Sequence, residues 1–214
     1  MRIIDLSVPL RTGMPIYPGD PEVTIQPALR VAVDGVNVLR LHLGSQTGTH
    51  VDAPAHIDDA LPTLDALPLE RFLGPAVVVD ARDVAAGNGI GREYFEGRVT
   101  AGHIVLIDTG WSAHWGTDTY FTHPYLTPDA ARYLVDAGVR TVGIDGLSVD
   151  PALAEEIPVH RILCGAHAVI AENLTGLDEV LAAQQAGERI EAMLLPLSLP
   201  GADGAPVRAI ARIG

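Results

Sequence analysis

The sequence predicts a mixed α/β fold, a sheet with flanking helices in one domain spanning residues 1–214, and three observations carry that expectation. Short segments rich in Val, Ile and Leu recur along the chain, punctuated by Gly, Pro or Asp; two further segments have helical spacing; and the two kinds interleave. No Pro/Ser-rich linker, low-complexity tract or repeat of solenoid length separates them. A length of 214 residues suits one compact unit, and 48% hydrophobic against 19% charged residues excludes disordered and fibrous chains.

In chain order, Arg2–Leu6, Val38–Leu43, Ala76–Val79, His103–Ile107, Thr141–Ile144, Ala192–Leu195 and Val207–Ile210 read as strands, most of them too short for helices. The clearest helix is Pro128–Ala137. Thr127 can cap it, Pro128 suits its first position, Gly138 can close it, and Leu134 and Val135 face the core. Gly176–Ala186 reads as a second helix through Leu177, Val180 and Leu181, with Gly187 beyond its end, and Asp150-Pro151 as the start of a third, shorter one. Thr109–Leu126 is long and irregular, yet it holds five of the chain's ten aromatic residues. A loop of that length and composition is expected to be a lid or an oligomer contact.

A formal net charge of −13 repels phosphate backbones and anionic lipid head groups, so neither nucleic acid nor membrane is expected as a partner. No stretch free of Asp, Glu, Lys and Arg is longer than Leu41–Val51, far below the roughly 20 apolar residues of a membrane span. The N-terminus has no secretory pattern, and the single Cys164 forms no internal disulfide; both fit a cytoplasmic protein acting on a small molecule.

The segment Gln46-Thr-Gly-Thr-His50-Val-Asp52-Ala-Pro-Ala-His56 carries the chemistry. Thr47, Thr49 and Val51 are β-branched and favour extended chain, which would align Gln46, Gly48, His50 and Asp52 on one face, with open space at Gly48 for an ion or substrate. Pro54 would end the strand and carry His56 out on a loop beside that face. His50 and Asp52 so placed suit a metal ion, and equally suit hydrogen bonding with solvent. His160, with Glu172 twelve residues on, forms a second cluster; the alternatives are a surface imidazole and a carboxylate before a helix N-terminus. Asp145, Ser148 and Asp150 can orient ligands from behind, or serve as turn and cap residues. His42 reads as solvent-facing, His103 and His167 as structural, and Cys164 as a buried, inert thiol. GxSxG, HExxH and Walker patterns are absent, which weakens serine hydrolase, zincin and nucleotide-binding assignments.

With the GTHVDAPAH core go DLSVPL, PIYPGDP, LIDTGW, HPYLTPDAA, VGIDGLSVD and PVHRIL followed by ENLTGL. In that order, over most of the chain, the sequence resembles the cyclase family of metal-dependent hydrolases, which includes bacterial kynurenine formamidases and isatin hydrolases. The resemblance implies a swivelling β/β/α fold and a divalent metal site, zinc or manganese, of one or two ions. It implies His50, Asp52, His160 and Glu172 as ligands and His56 as the catalytic imidazole. Gln46 stands where the family's usual pattern has a further histidine ligand. Its neutral oxygen would bind zinc more weakly than an imidazole and favours one fully occupied site over two. The activity implied is hydrolysis of a small amide, lactam or ester, with an arylformamidase of tryptophan catabolism the nearest precedent. Trp111, Trp115 and Phe121 can stack on an aromatic substrate, and a homodimer or homotetramer is expected. Rival expectations are a lactone or isatin ring-opening hydrolase, a metal-dependent lyase or dehydratase, and a non-catalytic metal-binding protein.

Overall fold

Thirteen strands and four α-helices alternate along the chain. A computed structural model describes all residues from Met1 to Gly214. The elements are β1 (Arg2–Asp5), β2 (Thr24–Leu29), the single turn α1 (Val31–Asp34), β3 (Val38–His42), β4 (His50–Asp52), β5 (Leu73–Asp80), β6 (Gly89–Ile90), β7 (Ile104–Asp108) and β8 (Tyr125–Leu126). Then follow α2 (Pro128–Asp136), β9 (Thr141–Ile144), α3 (Pro158–Gly165), β10 (Val169–Glu172), α4 (Leu177–Gln185), β11 (Ile190–Met193), β12 (Gly204–Pro206) and β13 (Ile210–Ile213). Nine strands form one mixed sheet in the order β1-β13-β11-β5-β7-β9-β10-β4-β12, in which β5, β7, β9 and β10 run parallel. This is the mixed α/β class that the alternation of segments predicts.

Strand periodicity divides the core between the two faces of that sheet. Val78, Ile104, Leu106, Val169 and Ala171 join α4 through Leu177, Val180 and Leu181 on one side. Their neighbours Val79, Val105, Ile107, Val142 and Ile170 meet α2 and α3 on the other, through Ala130, Leu134, Val159 and Leu163. The α2 helix begins as its sequence dictates: the Thr127 side chain accepts from the Ala130 amide at 3.2 Å, with Pro128 in the first turn. No helix is long and apolar enough to cross a membrane.

Four local expectations are corrected. The strand expected from Gln46 begins only at His50, because Gly48 adopts φ +64° and breaks the alternation that would align Gln46 with His50. The space at Gly48 is open on one side only: its backbone lines a cavity, whereas a Cβ there would meet Leu10 Cδ2 at 2.6 Å. No helix starts at Asp150-Pro151. The third helix starts at Pro158, and Asp150 caps it from a distance by accepting from the Val159 and His160 amides, both at 2.9 Å. The terminal strand is Ile210–Ile213, displaced from Val207–Ile210, while Gly204–Pro206 forms a strand of its own at the far edge of the sheet. The β2/β3 ribbon lies outside the main sheet, and each of its strands has no buried residue.

Candidate metal centre and cleft

Strand pairing brings the two sequence clusters together. In the antiparallel pair β4/β10, His50 lies opposite Glu172, and Asp52 follows two residues on along the same face. On its other side β4 pairs with β12, where Gly204 stands opposite Asp52. His160 comes in from the first turn of α3, on the cap made by Asp150.

His50 Nε2 lies 3.4 Å from Asp52 Oδ1 and 3.6 Å from Glu172 Oε2. His160 Nε2 lies 3.8 Å from Asp52 Oδ2 and 3.5 Å from Glu172 Oε1. The two carboxylates thus stand between the two imidazoles, each showing one oxygen to either side. Donor atoms of His50, Asp52 and Glu172 lie within 4.8 Å of one another, as a shared ion requires. All four residues are buried.

Behind the donors, each ring is fixed by its other nitrogen. His50 Nδ1–H donates to the Gly48 carbonyl at 2.8 Å and His160 Nδ1–H to Asp150 Oδ2 at 2.7 Å, which leaves both Nε2 lone pairs facing the carboxylates. Val149 N–H donates to Glu172 Oε1 at 2.9 Å, whereas neither oxygen of Asp52 has a hydrogen bond. Lone pairs facing buried anions repel unless a cation or protons lie between them. Without an ion, protons take that place. Burial opposes the charged imidazoles, yet the Asp52 charge lifts His50 to about 9, and the hydrogen bond to Asp150 together with the facing Asp52 and Glu172 carboxylates lifts His160 to about 10. Burial pushes the Glu172 carboxyl up, with Asp52 adding to it; at Asp52 the neighbouring imidazolium charges overcome burial and hold the carboxyl well below the usual range. Two imidazole nitrogens and two carboxylates of this kind fit a divalent metal ion.

A cleft of about 310 Å³ opens in front of these donors. Trp115 and Phe121 line it; Trp111 does not, because its indole N–H donates to the Tyr120 carbonyl at 3.2 Å and its ring packs on His114. His56 lies on a 3-10 turn, Pro54–His56, and reaches the cleft with its ring centroid 5.9 Å from that of His160. Gln46 also lines the cleft, with its Nε2 donating to Asp203 Oδ2 at 2.9 Å and its Oε1 buried without a partner. Of the three residues expected behind the donors, only Asp150 touches one. Ser148 Oγ accepts from the Asp150 amide at 3.2 Å, while Asp145 accepts from the Thr109 amide at 2.9 Å and anchors the aromatic loop instead. Cys164 is buried, and burial pushes its thiol up.

Several cleft residues escape sequence reasoning. Tyr17 and Asp20 come from the N-terminal segment, and Asn173, held at φ 57°, donates from Nδ2 to the Gly48 carbonyl at 2.9 Å. Tyr120 is buried, with its hydroxyl 3.0 Å from Asn173 Oδ1. The adjacency of Asn173 to Glu172 is a usable signal, and Tyr17 and Asp20 lie within PIYPGDP, which marks the resemblance without giving them a role; Asp203, which touches Gln46 and His56, has none.

The chain is similar to known proteins along nearly its whole length. A model of the Cyclase family, described as "Putative cyclase", matches residues 4–151. The kynurenine formamidase of Geobacillus thermodenitrificans is 37% identical over 98% of this chain and 96% of its own length. Isatin hydrolase A from Labrenzia aggregata superposes with a TM-score of 0.86 at 25% identity, over 98% of this chain and 93% of that one. A structure described as a potential metal-dependent hydrolase with cyclase activity superposes with a TM-score of 0.79 at 30% identity, over 98% of this chain and 96% of that one.

Proposed function

Because this chain belongs to the Cyclase family, we propose that it is a metal-dependent hydrolase of amide bonds whose substrate is a small N-acyl arylamine, with a formanilide of the N-formylkynurenine type as the leading case. The observation that carries this is the buried Asp52 carboxylate, bare of hydrogen bonds and flanked by two imidazoles whose Nε2 atoms are turned to it. His50, Asp52, His160 and Glu172 would hold the ion, and Gln46 has one atom to add, its buried and unpartnered Oε1. Zinc and manganese both suit such N/O donors. Held by these residues, a divalent ion would supply a water of pKa about 7 and a Lewis acid for the substrate carbonyl.

The remaining chemistry belongs to the chain. His56 Nε2 takes the proton from the attacking water and passes it to the departing amine nitrogen, a role worth about 10²–10⁴-fold. Trp115 and Phe121 take the arene, and a cleft of about 310 Å³ admits only a small substrate. A second substrate class is favoured by the fold likeness to isatin hydrolase A: isatin shares the aryl N–C(=O) bond, within a ring. The partner surface we assign to a second copy of the chain is the β2/β3 ribbon, which exposes Val38, Leu39 and Leu41 and is too small a sheet to be stable unsupported; light scattering should give a dimer or tetramer, and a monomer would refute this.

The test is metal analysis with turnover on a panel of formanilides, isatin and lactones. Bound metal with formanilide hydrolysis, and one oxygen of ¹⁸O-labelled water in the formate, is expected; a product without label would indicate a lyase, and bound metal with no turnover a non-catalytic protein. His56→Ala should keep the metal and lower kcat by about 10²–10⁴-fold; unchanged kcat would remove His56 from the mechanism.

A further inference from the structure

His56 needs a fixed tautomer, and the chain supplies one from its far end. Asp203 immediately precedes β12; its backbone carbonyl accepts from the Ala53 amide at 2.7 Å, which ties it to the end of the strand carrying His50 and Asp52. Its side-chain Oδ2 accepts from Gln46 Nε2 at 2.9 Å and from Ser45 Oγ at 3.1 Å, and stands 3.4 Å from His56 Nδ1. Gly204 leaves room for this arrangement, since a Cβ there would lie 2.5 Å from Gln46 Nε2.

We propose that Asp203 is the positioning residue for His56: it keeps the proton on Nδ1, so that Nε2 offers its lone pair to the cleft. The inference rests on the proposed role of His56 as the group that moves the proton. Two neighbours compete for Nδ1. Gln46 Nε2, 3.1 Å away, would donate to a bare Nδ1 and so force the proton onto Nε2, the tautomer that cannot act as a base. Asp203 opposes that. It holds one amide hydrogen of Gln46 and offers an anionic acceptor to Nδ1–H, a charge-assisted bond stronger than a neutral one. The orientation of the Gln46 amide follows from the same carboxylate, because the opposite orientation would set Oε1 against Asp203 Oδ2. Through a cycle the proton moves on and off Nε2, while the Nδ1 proton stays with its carboxylate.

Asp203→Asn, close to the native side chain in shape, is the test. The loss in kcat should be about 10–10²-fold, below the full acid/base contribution, with KM and metal content near wild type. In a His56→Ala background the same substitution should cost no more than about twofold, because the two residues act as one unit. Additive losses would mark a merely structural role and overturn the proposal. A second measurement does not depend on the variant: ¹⁵N NMR of the metal-free protein should show the neutral His56 ring protonated on Nδ1, and on Nε2 after Asp203→Asn. An Nε2-protonated ring in the wild type would overturn the proposal. Full turnover by His56→Ala would instead defeat the proton-transfer role itself, leaving the NMR result to report the tautomer alone.

Discussion

The donor cluster and the wall of the cleft in front of it are built in opposite ways. Three donors, His50, Asp52 and Glu172, sit on paired strands, with backbone register placing one opposite another, and the fourth sits on the first turn of a capped helix. The facing wall comes from turns and loops: Tyr17 and Asp20 before β2, Trp115 and Phe121 between β7 and β8, His56 on its 3-10 turn. Rigid elements hold groups within the tolerance an ion demands, while loops vary in shape with little cost to the core. The contrast implies that ion binding is a property of the sheet and substrate choice a property of the loops, so substitutions in the two regions should fail in different ways.

The sharpest test strikes the sheet. Asp52→Asn keeps the size of the side chain and removes the anion that faces both Nε2 atoms. Metal analysis should find the ion lost, and turnover should fall on the order of 10³-fold or more, since an ion contributes several kcal/mol to the transition state. Equal metal content in Asp52→Asn and wild type would break the division between the two regions.

A smaller effect is expected one layer behind the donors. Asp150 accepts from the Val159 and His160 amides and from His160 Nδ1, at 2.9, 2.9 and 2.7 Å. Asn in its place turns a donor toward at least one of these N–H groups and leaves it unpaired in the interior, a loss of about 1–3 kcal/mol. Metal affinity should fall about 10–100-fold with His160 no longer held, as measured by competition with a chelator. A fall in Tm with unchanged affinity would confine Asp150 to capping α3.

This division also explains what the sequence made legible. The spacing of His50 and Asp52 is short and local, and β-branched neighbours mark the strand, so the pair could be found; the partnership with Glu172 followed from the resemblance, and the β4/β10 register gives its physical basis. Hidden from periodicity was the left-handed Gly48, which ends the alternation two residues before His50. The helix expected at Asp150 lies further on for a physical reason: Asp150 does cap a helix, across eight intervening residues and from outside it, so a capping side chain need not stand where its helix begins. Asp203 reaches Gln46 and His56 by tertiary folding alone, with no spacing or motif to announce it, whereas Asp20 comes from PIYPGDP, which marks the resemblance but gives the residue no role.

The mildest substitution belongs to the wall. Trp115 meets the ring of Tyr120 edge-on with centroids 5.1 Å apart, and its buried indole N–H has no acceptor within the chain. A buried donor left unpaired is costly, and because the residue lines the cleft, a small turn of the indole on substrate binding would bring its N–H to an acceptor there. Trp115→Phe keeps an aromatic ring on Tyr120 and deletes the donor. One hydrogen bond of about 0.5–1.5 kcal/mol corresponds to roughly a two- to twelvefold rise in KM, with kcat and metal content unchanged because the donor cluster is untouched. Trp115→Leu should raise KM further through the lost aromatic packing. If kcat falls while KM stays constant, the wall takes part in the transition state as well as in binding, and the separation between sheet and loops is too simple.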